Sequence, residues 1–305
     1  MMHRKLIKLG QEVSERAMAI PPIAIGVKAI NRMMAREVML FAGGASFFGL
    51  LALIPAVLVG ASVYGLMFSA SDALNQLSAL RIAEIMPPTA YQFIQRMVSD
   101  LAGTPTLSLT VQSLVAIAIL LFAAGRGAKA IIAGLNQIAR KGDIRNIVHF
   151  NLIAMGAVLA AGFLLIGANL LILTVPNLLR PFLSALGFAQ ADISPIINEW
   201  TVAGGTMILA LGLLYRYVMQ RAGETSWRAS FTGAAIATLI WLAISKGFTL
   251  YVSTIVNPTT YGPLGALIVF LLWIYWASYA VFFGGALAVE IDRQAGRDIG
   301  DSSKA

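Results

Sequence analysis

The feature that most constrains this chain is an uncharged apolar run near its C-terminus, from Leu264 to Val289. As a helix, a run of this length crosses the hydrocarbon core of a bilayer, which takes about 20 apolar residues. The alternative is a buried helix of a soluble protein, in which so long an uncharged stretch is rare. Ala280, Gly284 and Ala288 recur every four residues, so one ridge of the helix lets a neighbour approach closely. The run predicts a membrane-spanning helix with one close-packing face.

The rest of the chain extends this prediction to a whole membrane domain. Hydrophobic residues make up 58% of the sequence and charged residues only 12%, whereas soluble domains carry about 25% charged residues. Five further apolar stretches are long enough to span: Leu40–Phe68, Leu107–Ala124, His149–Val175, Thr201–Met219 and Ala229–Val256. We predict an all-α polytopic membrane protein with six transmembrane helices in residues 40–289, a basic amphipathic segment at 1–39 and a polar tail at 290–305.

Two segments outside the spans are amphipathic. Residues 1–39 mix basic and apolar side chains and are divided by Pro21-Pro22, which is typical of interfacial helices on an anionic membrane surface. A solvated basic tail is the alternative interpretation. Residues 72–103 are too polar to cross the bilayer. Their spaced apolar positions, interrupted at Pro87-Pro88, predict an amphipathic helical hairpin between the first two spans.

The distribution of basic residues predicts the orientation. Eighteen of the 22 Lys and Arg residues lie in the N-terminal segment, after the second and fourth spans, or in the tail. The connections on the other side contain only Arg81, Arg96 and Arg180. Since cytoplasmic loops are enriched in Lys and Arg, both termini are predicted in the cytoplasm of a bacterial inner membrane. This asymmetry also accounts for the net charge of +8 without a nucleic-acid partner.

Lys246 is the remaining cation, and it lies within the fifth span. Charges inside membrane helices are rare and often functional. Thr249 and Ser253 follow on the same side of the helix, and Asn169 is a polar residue within the third span. These four residues are our candidates for binding an anionic ligand such as a lipid headgroup. The alternative is a structural lysine that extends to the headgroups or is neutral and hydrogen-bonded.

Other motifs do not indicate catalysis or a cofactor. Gly125-Arg126-Gly127-Ala128-Lys129-Ala130 matches a dinucleotide fingerprint, but it follows a membrane span and was expected to open a basic loop. His3 and His149 have no partner at metal-ligand spacing, and cysteine is absent. No ATP-binding motif is present. We therefore predict no metal site, no cofactor and no enzymatic activity. The aromatic residues of the last span are expected to pack within the bundle.

Several short motifs resemble the YihY/BrkB family of bacterial inner-membrane proteins, once labelled ribonuclease BN. The resemblance covers roughly residues 36–292. It is carried by Ala42-Gly43-Gly44-Ala45-Ser46 with Pro55, by Ser230-Phe231-Thr232-Gly233-Ala234, and above all by Tyr261-Gly262-Pro263-Leu264-Gly265 with Gly284-Gly285 and Glu290. It implies six helices with both termini inside and a role in handling envelope lipids. We take Pro55, Tyr261, Gly262, Gly265, Gly284, Gly285 and Glu290 as candidates for a structural or gating role.

Two functional hypotheses follow. In the first, the protein transports or translocates an anionic lipid or amphiphile, with membrane lipids as its partners. In the second, it is a scaffold that does not transport and docks an envelope protein through residues 72–103 and 176–200. Substituting Lys246 separates the two hypotheses, because only the first requires its charge.

Overall fold

The structure is a computed structural model that describes residues 21–67, 91–92, 95–96, 106–139, 146–185, 199–219, 225–254 and 258–295. Every regular element in these residues is a helix, which confirms the all-α prediction. The helices are α1 (Pro21–Met33), α2 (Arg36–Met67), α3 (Thr106–Ile138), α4 (Ile147–Ala185), α5 (Glu199–Leu213), α6 (Trp227–Thr254) and α7 (Pro258–Gln294). A π-helical turn, Leu214–Val218, continues α5. Residues 1–20 and nearly all of the predicted hairpin at 72–103 lie outside the described residues.

Six of these helices are long and apolar enough to span a membrane, as predicted. Their spanning segments are Arg36–Val59, Leu114–Ile138, Ile147–Ile172, Trp200–Val218, Trp227–Val252 and Leu267–Gln294. The helix that contains the second span, α3, continues beyond the predicted end of that span at Ala124, to Ile138. Arg126 and Lys129, expected in a loop, are on the helix because the apolar period continues through Ile131, Ile132 and Leu135. Arg126 is exposed, with its guanidinium over the ring of Phe122.

The last helix is longer at both ends than the sequence predicted. It begins at Pro258, so the stretch from Tyr261 to Gly265, expected as a turn, is helical. Proline suits the first position of a helix, where its missing N–H has no partner to lose. At the other end α7 continues to Gln294, into the segment expected to be a polar tail. Glu290 and Asp292 are both buried there, because each has a polar partner on another helix.

The six spanning helices form a closed ring in chain order. Each packs against the next, from α2 to α7, and α7 returns to α2. Helix α7 also contacts α1 and α3, so it is the centre of the packing. Helix α4 contacts α3 and α5 and has the smallest buried share of the six spans. Most of its apolar surface is therefore available to lipid.

A cluster of buried core residues lies at one end of the ring, which we call the Glu290 end. Helices α3, α5 and α7 end there, and α2, α4 and α6 begin there. Val38 of α2, Leu135 of α3, Tyr215 of the π turn and Phe282 of α7 belong to one fully buried cluster at this end. We call the opposite end of the ring the Lys246 end.

Helices α6 and α7 approach almost backbone to backbone. A Cβ atom added to Gly284 would lie 2.6 Å from Ala237 Cβ and 2.6 Å from the carbonyl oxygen of Gly233. A Cβ atom on Gly233 would meet the carbonyl oxygen of Gly284 and lie 3.2 Å from Ala288 Cβ. The close approach predicted from the ridge of small residues is therefore found, and it requires glycine at both positions.

Candidate functional site

Lys246 is exposed on α6, and its ammonium lies 4.1 Å from the centroid of the Trp200 ring. Trp200 is the first residue of the α5 span. Lys246 lies 19 residues after Trp227, which starts the α6 span and contacts the end of α5 through Tyr217. That spacing corresponds to about 28 Å of helix, close to one hydrocarbon thickness of about 30 Å. Lys246 is thus level with Trp200 at the start of α5, about one hydrocarbon thickness along α6 from Trp227.

The other candidate ligand residues are only partly brought together. The Thr249 hydroxyl donates to the carbonyl oxygen of Ser245, 3.0 Å away on the same helix. The Asn169 amide donates to the Leu165 carbonyl oxygen at 2.8 Å. Asn169 is on α4, and α5 packs between that helix and α6 in the ring. The Ser253 side chain lies outside the described part of the structure.

Buried polar contacts hold α6 against α7 beside Lys246. The indole N–H of Trp273 donates to the hydroxyl of the buried Ser245 at 3.1 Å. Its ring lies 6.3 Å from that of Trp241 and 5.6 Å from that of Phe270. Trp273 therefore packs within the bundle, as predicted, whereas Trp276 of the same helix is half exposed. Lys246 follows Ser245 directly, so this contact positions the lysine at the edge of the α6–α7 pair.

Glu290, a candidate for a structural or gating role, pairs with Arg32 of α1, and both side chains are nearly fully buried. The Arg32 guanidinium also donates to the Ile138 carbonyl oxygen, 3.0 Å away in the last turn of α3. One arginine thus ties α1 to the ends of α3 and α7. From the sequence alone, Arg32 is one of several basic residues in the amphipathic segment 1–39, predicted at the membrane surface. Ala29, three residues before Arg32, is buried, so both residues lie on the packed face of α1. That spacing is the feature of the sequence that could have indicated a buried Arg32.

Asp292 fixes the start of α6 to the end of α7. Its carboxylate accepts hydrogen bonds from the Ser226 backbone N–H at 2.9 Å and the Ser226 hydroxyl at 2.6 Å. The Ser226 hydroxyl oxygen also accepts a hydrogen bond from the Ala229 N–H at 3.2 Å, so Ser226 caps the first turn of α6. Glu290 and Asp292 act on different helices, consistent with their spacing of two residues.

The π-helical turn joins α5 to this network. The phenol of the fully buried Tyr215 donates to the Val281 carbonyl oxygen at 2.6 Å. An added Cβ atom on Gly284 would lie 2.7 Å from this phenol oxygen, so the glycine leaves the space that Tyr215 occupies. Arg216 donates to the Thr225 carbonyl oxygen, and its guanidinium lies over the rings of Tyr217 and Trp227. A cation and two aromatic rings therefore occupy the surface where α5 ends.

The remaining candidates for a structural or gating role have clear positions. Pro55 is buried within α2, which continues on both sides of it. Gly265 is buried in α7. An added Cβ atom on Gly285 would meet the side chain of Leu135 on α3. Tyr261 and Gly262 belong to the first turns of α7. Gly285 therefore serves helix packing, and a structural or gating role for the other positions stays a prediction.

An apolar groove of about 700 Å³ lies between α3, α4 and the end of α5. Its walls include Ile131, Ile153, Ala160, Leu164 and Tyr217. The groove lies in the half of the ring at the Glu290 end, and several of its lining residues are exposed. Its volume is within the usual range for a ligand pocket, roughly 300–1,000 Å³.

Comparison with known proteins identifies the family. The family model described as Virulence factor BrkB matches residues 29–305, which include Arg32, Lys246 and Glu290. The chain belongs to the BrkB family. Similar members include a UPF0761 membrane protein of Alteromonas mediterranea, 24% identical over 84% of this chain and 83% of the relative. Another, from Cronobacter sakazakii, is 28% identical over 86% of this chain and 88% of the relative.

One similar protein is named for a different property. The Bacillus subtilis protein YfkH, described as ribonuclease-like, is 28% identical over 55% of this chain and 61% of its own length. No solved structure matches the chain. The comparisons identify this BrkB family member as an integral membrane protein, and the matched relatives are named as membrane proteins in the two cases above.

Proposed function

We propose that this BrkB family protein translocates an anionic lipid or amphiphile across the bacterial inner membrane, with Lys246 binding the anionic headgroup. The observation that carries the proposal is the exposed ammonium of Lys246 on a spanning helix, against the ring of Trp200. A cation at this place on an apolar surface costs free energy unless an anion or water reaches it.

Within the described residues, no carboxylate pairs with Lys246. The Trp200 ring supplies a cation–π contact, which is worth about 0.5–2 kcal/mol. That contact leaves the hydrogen-bonding capacity of the ammonium available, since an aromatic face accepts no conventional N–H···O bond. A phosphate or carboxylate at the bilayer surface has the complementary charge. The position of Lys246 near the boundary of the hydrocarbon fits a headgroup better than a mid-membrane ion.

The proposed orientation places the Glu290 end in the cytoplasm and the Lys246 end outside. Basic residues are concentrated in the segments at the Glu290 end, including Lys28 and Arg36 around α1. This is the pattern of cytoplasmic segments in inner-membrane proteins. Lys246 would then act on the outer leaflet, where a translocated headgroup arrives or departs.

Lipid translocation in proteoliposomes tests the proposal. The protein is reconstituted with phosphatidylglycerol labelled on an acyl chain with a fluorophore, and a membrane-impermeant reductant bleaches the label in the outer leaflet. We expect Lys246→Met to slow transfer about tenfold, the loss of roughly one favourable ionic contact. Lys28→Met, which removes the same charge from exposed α1, is the matched control and should transfer like wild type.

The result distinguishes the two functional hypotheses. Wild-type rates in Lys246→Met would refute the role of Lys246 in headgroup binding. If vesicles with wild-type protein transfer the labelled lipid no faster than protein-free vesicles, translocation is refuted and the scaffold hypothesis is favoured. Deletion of residues 72–103 would then abolish function while Lys246→Met has little effect. Methionine is apolar and fits an exposed position on a spanning helix, so the variant should insert normally.

A further inference from the structure

We infer that the groove between α3, α4 and α5 is a binding site for the acyl chains of an anionic membrane lipid in the leaflet at the Glu290 end. The inference deepens the proposed function by naming a resident site for its substrate class. It rests on the dimensions of the groove, the small residues that open it and the cation at its mouth.

The groove has the length of one leaflet. Ile153 and Leu164 of α4 line its two ends and are 11 residues apart, or about 16 Å along the helix. Half of a hydrocarbon core of about 30 Å is about 15 Å. Tyr217 and Val218 close the groove at the end of the α5 span. The groove thus extends over about half the thickness of a hydrocarbon core, from the end of the α5 span.

Small residues on α4 create the space. Gly156 and Ala160 lie one turn apart on the wall of the groove and are both exposed. A Cβ atom added to Gly156 would meet no atom within 4 Å. Protein interiors do not leave gaps of this size unfilled, because the lining atoms lose their dispersion partners. Within a bilayer, the groups at hand to fill an apolar gap are acyl chains.

The charge at the mouth favours an anionic headgroup. The guanidinium of Arg216 lies 5.8 Å from the centroid of the Tyr217 ring, and Tyr217 lines the groove. His149 is exposed on α4, four residues before Ile153 and on the same helical face. A phospholipid with its chains in the groove would hold its phosphate at this level, where a guanidinium can bind it with charge-assisted hydrogen bonds.

A pair of glycines on α4 provides the test. Gly156→Phe places a ring in the groove. Gly162→Phe adds the same ring on the opposite face of α4, where an added Cβ atom likewise meets nothing within 4 Å. Both proteins are exchanged into phosphatidylcholine and phosphatidylglycerol in equal amounts, and retained lipid is counted by native mass spectrometry after detergent extraction.

We expect wild type and Gly162→Phe to retain a phosphatidylglycerol molecule. In Gly156→Phe the fraction of protein that retains this lipid should fall about tenfold, the effect of displacing roughly two buried methylene groups. Ala160→Phe, one turn along the same wall, should repeat the loss and serves if Gly156→Phe does not fold. Equal retention in all variants would overturn the inference. A change of subunit number in Gly156→Phe, without loss of lipid, would also overturn it and assign the groove to a second copy of the chain.

Retention and translocation are separate measurements, so the two proposals fail separately. Lipid retained by wild type and lost in Gly156→Phe, without any translocation, would support the groove and refute the proposed function. Translocation without a retained lipid would support the proposed function and refute lipid binding in the groove.

Discussion

Replacing Gly284 by alanine should destabilise the bundle strongly, because the new methyl group has no space. It would lie 2.6 Å from Ala237 Cβ, 2.6 Å from the Gly233 carbonyl oxygen and 2.7 Å from the Tyr215 phenol oxygen. Carbon atoms in contact prefer about 3.5–4.0 Å, so α6 and α7 must separate by roughly 1 Å. Two of the obstructing atoms belong to a backbone and a Cβ, which no rotamer change can move.

The size of the effect follows from two opposed terms. Overpacking a well-packed core costs about 1–3 kcal/mol, and three simultaneous clashes place this site at the upper end. Alanine is favoured over glycine in a helix by roughly 0.8–1.0 kcal/mol. We therefore expect a net loss of about 2 kcal/mol in the free energy of unfolding, and more if the Tyr215 hydrogen bond to Val281 also breaks.

Gly247→Ala on α6 is the matched control. Its added Cβ atom meets nothing within 4 Å, so only the helix-propensity gain applies and stability should stay level or rise slightly. Thermal unfolding of both purified variants in detergent, followed by size-exclusion chromatography after heating, measures the difference. A melting temperature of Gly284→Ala equal to that of Gly247→Ala would refute the backbone contact between α6 and α7.

Two further predictions concern the Glu290 end and the orientation. Glu290→Gln should lower the free energy of unfolding by about 3–5 kcal/mol, because Arg32 is left buried without its counter-charge. The double variant with Arg32→Met should recover part of that loss in the same thermal assay. Additive losses from the two substitutions would contradict direct pairing. The chain has no cysteine, so single cysteines report topology directly. Ser194→Cys should react with an impermeant maleimide from outside intact cells and Ser303→Cys only after lysis; the reverse pattern would contradict the proposed orientation.

The sequence was sufficient for the architecture because membrane spans are defined by length and absence of charge. The ridge of Ala280, Gly284 and Ala288 also identified the face of α7 that meets another helix. The helix of the second span continues past Ala124, where Arg126 and Lys129 suggested a boundary. On a helix, a cation can remain on the exposed face while the apolar period continues past it.

The polar contacts at the Glu290 end could not be predicted, since each joins residues far apart in the chain. Arg32 and Glu290 are separated by 258 positions, and a single sequence contains no sign of their pairing. The contact of Lys246 with Trp200 was also beyond the sequence, because it joins residues on two different helices. The groove was missed because small residues four apart on α4, such as Gly156 and Ala160, indicate close helix packing as readily as an open groove.

The central claim is that this BrkB family protein moves an anionic lipid across the membrane. Its most direct test compares wild-type proteoliposomes containing labelled phosphatidylglycerol with matched ones containing labelled phosphatidylcholine. We predict transfer of phosphatidylglycerol well above the protein-free rate and faster than that of phosphatidylcholine, since only the former carries a net negative charge for Lys246 and Arg216 to bind. Transfer of phosphatidylglycerol at the protein-free rate would contradict the account.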